Sequence, residues 1–413
     1  AWEPAGLAAR VSPFETMRTH SSQVRQRSRQ WLVVAEISAA VALLLTAAAL
    51  TRSVTALLQV DPGFAAARVL TARVTLPATT HGSAEVRRTL AERFLADVEA
   101  LPGVEGAAIG SALPFRSASS PFTFITDAAP ADRHQAEHRS ISPGYVETLG
   151  MTLLAGRSFT AADVRDSPRV ALITASLTKV WGVDNPAAVV GRRLSIDGPG
   201  GPWREIVGVV ADTRHAALTQ AGRGELYLPW QQDPWPGLVV IVRFAPGASP
   251  SAARVSQALA TIDPRLPLFD VEMLADRLRA SLGPQVFLQR GFTAFAGLAA
   301  VLAVAGVFAL LTWNVASRRR EIALRLALGA SPAAIVRSST KQMAAMLAVG
   351  MMIGAPAAWV ISRVIATFVP GCAPLDAATA GLTLAVFVAM TALVCIVPGR
   401  RAAATTPSVL VRG

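Results

Sequence analysis

An aspartate and two histidines about one third of the way along the chain come closest to a reactive group of side chains. Asp132, His134 and His138 place two imidazoles at positions i and i+4, as on a metal-binding helix. The surrounding segment is polar and flanked by proline, and no third ligand is evident, so a solvated loop is favoured. The sequence therefore predicts no metal, no cofactor and no catalytic residue.

Two motifs that would indicate nucleotide or acyl chemistry are missing from the full sequence. No phosphate loop of the form G-x-x-x-x-G-K-[ST] occurs, so the chain cannot bind ATP through one. No G-x-S-x-G nucleophile motif occurs either. We therefore expect a protein that is not an enzyme.

Four long apolar runs are the elements that would organise the rest of the chain. They lie at residues 31–52, 292–315, 343–361 and 377–397, and each approaches the roughly 20 residues that a helix needs to cross a bilayer. A cleaved signal peptide is the alternative for the first run, but Glu36 interrupts it. We interpret Glu36 as a carboxylate near the headgroups rather than a proton relay. The pattern predicts an α-helical membrane protein with four transmembrane helices.

Basic residues beside these runs indicate which side of the membrane each segment faces. The chain carries a net charge of +12, nearly all of it before residue 31, between residues 317 and 342, and after residue 397. The insert at 53–290 is almost neutral. Short basic loops stay in the cytoplasm, whereas long domains cross largely regardless of charge. We therefore expect a multi-pass membrane protein with both termini and residues 317–342 in the cytoplasm and residues 53–290 outside it.

The same charge distribution argues against a nucleic-acid partner. A pI near 11.2 would suit one. Here, however, the excess charge lies beside the apolar runs, where it sets topology and meets anionic lipid of the bilayer. We expect no nucleic-acid binding.

Strand and helix patterns alternate within the insert, which indicates a large mixed α/β domain between the first and second transmembrane helices. Strands are predicted at 68–76, 104–109, 122–126, 169–173, 205–210, 225–228 and 239–244, and helices at 83–101, 249–262 and 272–282.

The loop between the second and third runs carries the sharpest local pattern. Its end at Gly329 suits a helix C-terminus, and Ser331-Pro332 suits the start of the next helix. The short helix before Gly329 has more apolar surface than one lipid-facing stripe needs, so a protein partner is favoured over lipid anchoring alone. The predicted partner-binding residues are Arg318, Arg319, Arg320, Glu321, Ile322, Leu324, Arg325, Leu326, Leu328 and Gly329.

Small residues recur every four positions in the third run, at Gly350, Gly354 and Ala358. Such a stripe permits close helix approach. Two partners are open at this point: a helix of the same bundle, or a second, similar unit.

The first residues of the chain echo its last ones. Residues 9–18 align with residues 403–412 through small residues, a Ser/Thr-Pro step and an Arg five positions after the Pro. The echo suggests that residues 1–30 are the cytoplasmic tail of a preceding similar unit. The chain would then be the second half of a tandem duplication.

Several stretches together resemble the FtsX/MacB-type permeases of ABC systems, specifically their tandemly duplicated orphan branch. They lie at residues 31–36, 60–64, 142–150, 156–159, 206–212, 320–330 and 398–402. The resemblance implies a multi-pass protein of the bacterial inner membrane, with a MacB-like periplasmic core domain at 53–290 and an FtsX-like domain at 291–413. The match to the family's coupling segment is carried by Arg320, Glu321, Arg325 and Gly329. Gly399 departs from the family pattern, which usually has Ala there.

The function implied by this resemblance is mechanical. In such permeases the loop between the second and third helices docks on a cytoplasmic ABC ATPase, and ATPase motion is transmitted to the outer domain. The expected partners are that ATPase, the lipid bilayer and a second permease unit, either an N-terminal half or a second copy. A membrane-anchored receptor or scaffold that works without an ATPase is the alternative.

Overall fold

The computed structural model describes residues 13–115, 121–215, 217–219, 224–317 and 332–403, which fall into two compact units. The membrane unit contains the chain up to Ala56 and again from Pro284. The outer unit is Leu57–Gly283.

The helices and strands are as follows. The helices are α1 Pro13–Leu58, α2 Ala78–His81, α3 Ala84–Glu99, α4 Tyr145–Leu149, α5 Ala252–Ile262, α6 Leu274–Ser281, α7 Gly283–Ser317, α8 Pro332–Phe368 and α9 Ala377–Ala403. The strands are β1 Val69–Thr75, β2 Val104–Gly110, β3 Pro121–Thr126, β4 His134–Ile141, β5 Leu153–Gly156, β6 Val170–Thr174, β7 Arg193–Ser195, β8 Arg204–Val210, β9 Glu225–Pro229, β10 Gly237–Phe244 and β11 Phe269–Met273. Two 3₁₀ helices, Ala175–Trp181 and Pro186–Val189, follow β6.

Three helices of the membrane unit have the length and composition needed to cross a bilayer. Their apolar parts are Ser28–Leu58 in α1, Gly283–Asn314 in α7 and Lys341–Phe368 in α8. The fourth predicted run coincides with α9, whose described apolar part, Ala377–Leu393, is shorter. The helices extend beyond the apolar runs because polar residues at their ends continue the helical backbone.

The described strands of the outer unit form a single sheet with the order β11-β1-β10-β2-β4-β3-β7-β8-β6-β9, and β5 pairs with β8 off this path. Because β9 also pairs with β4, in parallel, the six strands β4, β3, β7, β8, β6 and β9 close into a ring. The strands β11, β1, β10 and β2 form an open antiparallel wing, joined to the ring where Gly110 pairs with Ile141.

Alternation along the wing strands gives the wing two buried faces. One face carries Val240 and Val242 and packs against α3 and α5, in a core that includes Phe94 and Leu259. The other face, with Ile241, packs against α4 and its neighbours. Helix α3 begins where the Ser83 side chain accepts a hydrogen bond from the Val86 N–H.

The predicted elements of the insert agree with observed ones to within three residues at each end. Four strands were not predicted, namely β4, β5, β7 and β11. The segment predicted to begin a helix at Glu272 still belongs to β11, and α6 starts at Leu274.

Candidate functional site

The small-residue stripe on α8 lies against α1 of the same chain. A side chain on Gly354 would place its Cβ 2.6 Å from the Ser38 carbonyl oxygen. At Gly350 an added Cβ would collide with Ile37. Of the two partners left open by the sequence, the structure places a helix of the same bundle against the stripe, so that backbone meets backbone.

Helix α1 is the most buried of the three long apolar helices in the described part of the membrane unit. Its residues Val33, Ile37 and Leu45 share one buried cluster with residues of α7, α8 and α9. Ala358, the third member of the stripe, is fully buried in the same cluster. Neighbouring helices therefore hold α1 on several sides.

The Glu36 carboxylate turns inward to α7. An added Cβ at Gly306 would collide with Glu36 Oε2, so the missing side chain makes room for the carboxylate. That oxygen is buried and has no hydrogen-bond partner among the described residues. About two helical turns away, the Arg29 guanidinium lies 5.0 Å from the Trp313 ring. The sequence indicated that Glu36 is a carboxylate near the headgroups, and this contact with α7 was not predicted.

The predicted partner-binding segment lies outside the described residues. All of Arg318 to Gly329 falls between the end of α7 at Ser317 and the start of α8 at Pro332. The structure therefore describes the helices on either side of this segment, α7 and α8.

A charged cluster lies at the centre of the outer unit. Arg139 on β4 donates from Nη2 to Glu137 and to Glu225 on β9, at 3.3 Å in each case. Arg139 is 1% exposed and Glu225 is 2% exposed. Burial alone would lower the pKa of Arg139, but Glu225 and its other neighbours raise it above the ordinary value. The guanidinium therefore stays charged in the interior.

Glu225 is the hub of this cluster. It accepts hydrogen bonds from Thr213 Oγ1 at 2.8 Å, from His215 Nδ1 at 2.9 Å and from the Tyr227 hydroxyl. Burial would raise the pKa of Glu225, yet His215 and Arg139 hold it well below the usual range. For His215 burial is the largest influence, and it lowers the pKa of the imidazole. A carboxylate with this many donors stabilises charge; it has no lone pair free for proton transfer.

Several polar atoms of the cluster make no hydrogen bond within the described residues. They are Arg139 Nε and Nη1, Tyr145 Oη and His215 Nε2. Burial raises the pKa of the Tyr145 phenol, which therefore stays neutral.

The cluster also reaches the segment that follows α1. The Phe64 ring stacks on His215, with centroids 5.3 Å apart. The Arg214 N–H donates to the Pro62 carbonyl oxygen at 2.9 Å. Gly63 has φ of +82°, and a Cβ there would collide with the Asp212 carbonyl, so only glycine suits this turn. The chain leaving α1 is therefore held against the loop that carries His215.

His134 and His138 do not lie in a solvated loop, and that prediction was wrong. Both belong to β4. His138 is buried between the Phe122 and Trp235 rings, with its Nε2 2.9 Å from Asp233 Oδ2. The sequence of β4 is polar because several of its buried side chains are charged instead of aliphatic. No group of three or more potential metal ligands gathers in the described part of the chain.

Arg139, His215 and Glu225 were not predicted as a cluster from the sequence. Glu225 opens a strand that is otherwise apolar (Leu226-Tyr227-Leu228), and this isolated acid was the one local signal. Its partner Arg139 is 86 residues away in sequence, and no local pattern connects the two.

Comparisons with known families agree with this architecture. Residues 31–258 match the family described as MacB-like periplasmic core domain. Residues 293–407 match the FtsX-like permease C-terminal family. Since the first match alone spans more than half of the chain, the protein belongs to the FtsX/MacB-type permeases of ABC transporters. It is a membrane subunit of that transporter class, with a periplasmic segment.

Two solved structures show a distant likeness. One is the periplasmic region of MacB from Actinobacillus actinomycetemcomitans, with 14% identity, a TM-score of 0.37, and coverage of 55% of this chain and 98% of that one. The other is the extracellular domain of the noncanonic ABC-type transporter YknZ from Gram-positive bacteria, with 14% identity, a TM-score of 0.32, and coverage of 49% and 100%. No curated protein matches the chain.

Proposed function

We propose that this chain is the mechanotransmission subunit of an ABC-type export or efflux system, coupling a separate cytoplasmic ATPase to its outer unit. The observation that carries the proposal is the contact between α8 and α1. Helix α8 starts directly after the segment 318–331, and its glycines lie on the backbone of α1 at Ile37 and Ser38. Helix α1 ends at Leu58, next to the sequence boundary between the two units.

The close contact supports transmission because it leaves little freedom between the two helices. Interiors without voids transmit displacement, whereas loosely packed ones absorb it. A push on the N-terminal end of α8 therefore shifts α1 along with it. In the proposed mechanism the ATPase supplies that push through the segment from Arg318 to Gly329.

The same proposal includes four membrane crossings and periplasmic placement of residues 53–290. Helix α9 is 27 residues long, about 40 Å at 1.5 Å per residue, and so is long enough for the fourth crossing. The basic residues near Ser317 and after Pro398 support a cytoplasmic location of those ends by the positive-inside rule.

The proposed partners at the membrane are lipid and a second permease unit. Large apolar side chains stay exposed on α7, α8 and α9, among them Val301, Met352 and Leu382 at 67%, 76% and 70% exposure. Such surfaces suit acyl chains or another apolar helix face. The second unit is an N-terminal half of the same polypeptide or a second copy of this chain.

Copurification from native membranes tests the coupling role. Leu326→Glu should abolish binding of the ATPase subunit, because it buries an unpaired carboxylate in the proposed apolar contact with the ATPase, at a cost of several kcal/mol. Arg319→Gln is the matched control, since the loss of one exposed charge is worth about 1 kcal/mol or less. Both variants should insert with the same topology, because the loop keeps enough arginine.

Two results would count against the proposal. Unchanged ATPase binding by Leu326→Glu would make the segment a lipid-facing anchor. Absence of any ATPase from the unmodified complex would favour the alternative function, a membrane-anchored receptor or scaffold.

A further inference from the structure

The loop between α8 and α9, residues 369–376, is bonded by side chains from three different helices. We call it the outer loop. Ser53 on α1 accepts a hydrogen bond from the Ala373 N–H at 2.9 Å. Gln285 on α7 donates from Nε2 to the Pro370 carbonyl oxygen at 3.0 Å. Ser362 on α8 accepts from the Leu375 N–H at 3.4 Å.

An ion pair completes the set. Arg52 on α1 pairs with Asp376 at the end of the outer loop and reaches Thr379 in the first turn of α9. Asp376 also accepts from the Thr379 N–H, so it caps α9 while it holds Arg52. The pair is partly exposed, whereas Ser53 and Ser362 are buried.

The positions of these partners along the chain are informative. Arg52 and Ser53 lie just before the chain passes into the outer unit at Leu57. Gln285 lies just after the chain returns at Pro284. The outer loop therefore bonds to both helix ends that flank the inserted outer unit in sequence.

We propose that the outer loop is a clasp that ties the outer ends of α1 and α7 to each other and to the α8–α9 pair. The clasp makes the outer ends of the four helices move as one body, so that displacement of α8 and α9 reaches both connections to the outer unit. It concerns contacts inside this chain and does not depend on an ATPase partner.

The accessibility of the Cys372 thiol indicates whether the clasp is intact. Cys372 lies in the outer loop, is 6% exposed and has a free thiol. Burial raises the pKa of that thiol, so a closed clasp keeps it protonated and shielded. A loop released from Arg52 and Ser53 would expose Cys372 to reagents from the outer side.

The test is the rate at which a membrane-impermeant maleimide labels Cys372 in the full chain in proteoliposomes, read from the Cys372 peptide by mass spectrometry. Arg52→Gln and Asp376→Asn should each raise this rate about two- to five-fold, the range expected for loss of one exposed ion pair. Asn keeps the cap of α9, so Asp376→Asn changes the pair alone. The double variant should label no faster than the faster single variant, because both substitutions remove one interaction.

The control is Arg363→Gln. Arg363 is also near the outer end of α8, but its guanidinium lies over the Trp359 ring at 5.2 Å instead of bonding the outer loop. Its labelling rate should match that of the unmodified chain. The clasp is overturned by labelling rates that stay unchanged in both single variants, by additive rates in the double variant, or by an equal rise in Arg363→Gln.

Discussion

The interior of the outer unit has charge at its centre, whereas the membrane unit is held together by small residues that bring helix backbones together. In the outer unit, Arg139, Glu225 and His215 are buried and joined by hydrogen bonds. In the membrane unit, Gly350 and Gly354 let α8 touch the backbone of α1. The described ion pair of that unit, between Arg52 and Asp376, lies at its outer end.

This difference follows from the two solvents. Water around the outer unit drives apolar burial, so the fold has enough stabilisation to contain a costly buried cluster, provided that each charge is paired. Lipid gives no such drive between helices, since acyl chains are as apolar as leucine. Close van der Waals packing must therefore supply more of the stabilisation between helices. The outer unit should thus be most sensitive to lost partners and the membrane unit to added volume.

The largest expected effect is the loss of a charge from the cluster. Arg139→Met should destabilise the outer unit by about 3–5 kcal/mol, because Glu137 and Glu225 are left buried without their cation. The measurement is amide hydrogen exchange of peptides covering β4 and β9 in the full chain. Arg279→Gln, which breaks an exposed pair with Asp276, should cost about 1 kcal/mol or less. Equal protection of β4 and β9 from exchange in the two variants would show that burial of the cluster does not increase the cost of losing a charge.

The next effect concerns added volume in the membrane unit. Gly354→Ala should loosen the α1–α8 contact at a cost of about 1–3 kcal/mol, because the new methyl group meets the Ser38 carbonyl, which cannot move aside. Thermal unfolding in detergent measures this cost. Gly306→Ala should cost less, since Glu36 is a flexible side chain, and Gly381→Ala meets open space and should cost nothing. An equal loss at all three positions would mean that contact geometry is not responsible.

The smallest effect is a pH dependence that belongs to the outer unit. The pKa of His215 is lowered in the fold from its usual value of about 6.5, so the unfolded chain binds the proton more readily. The His215 contribution to stability is therefore fully present above pH 6.5 and is progressively lost as the pH drops below it. Hydrogen exchange of β9, corrected for intrinsic rates, should show this loss, and His215→Gln should remove it. The same loss in α1 would assign the effect to something other than His215.

The sequence was sufficient where a continuous apolar run has the length of one element. The apolar runs of α1, α7 and α8 could be predicted because each is long enough to cross a bilayer. Strand β10 could be predicted because its short run is rich in β-branched residues, as in a strand buried on both faces. The sequence was insufficient for β4, whose buried face carries Glu137 and Arg139. Hydrophobic periodicity gives no signal there, since burial depends on a partner brought close only by the fold.

The candidate sites divide in the same way. The small-residue stripe at Gly350 and Gly354 was visible as a spacing, but its partner on α1 required the structure. The cluster around Glu225 and the outer loop around Asp376 have no local pattern. Both are assembled from residues far apart in sequence, and their roles follow from geometry alone.

The closed ring of the outer unit has a consequence for how the protein is made. The ring closes only when β9 pairs with β4 and β6, and β9 is the last of its strands in the chain. During synthesis Arg139 therefore emerges long before Glu225, and its guanidinium stays hydrated until that carboxylate has been made. Pairings over such separations form slowly. The half-made outer unit thus stays open until residue 229 has appeared, and it would be the stage most exposed to proteases and in need of a chaperone.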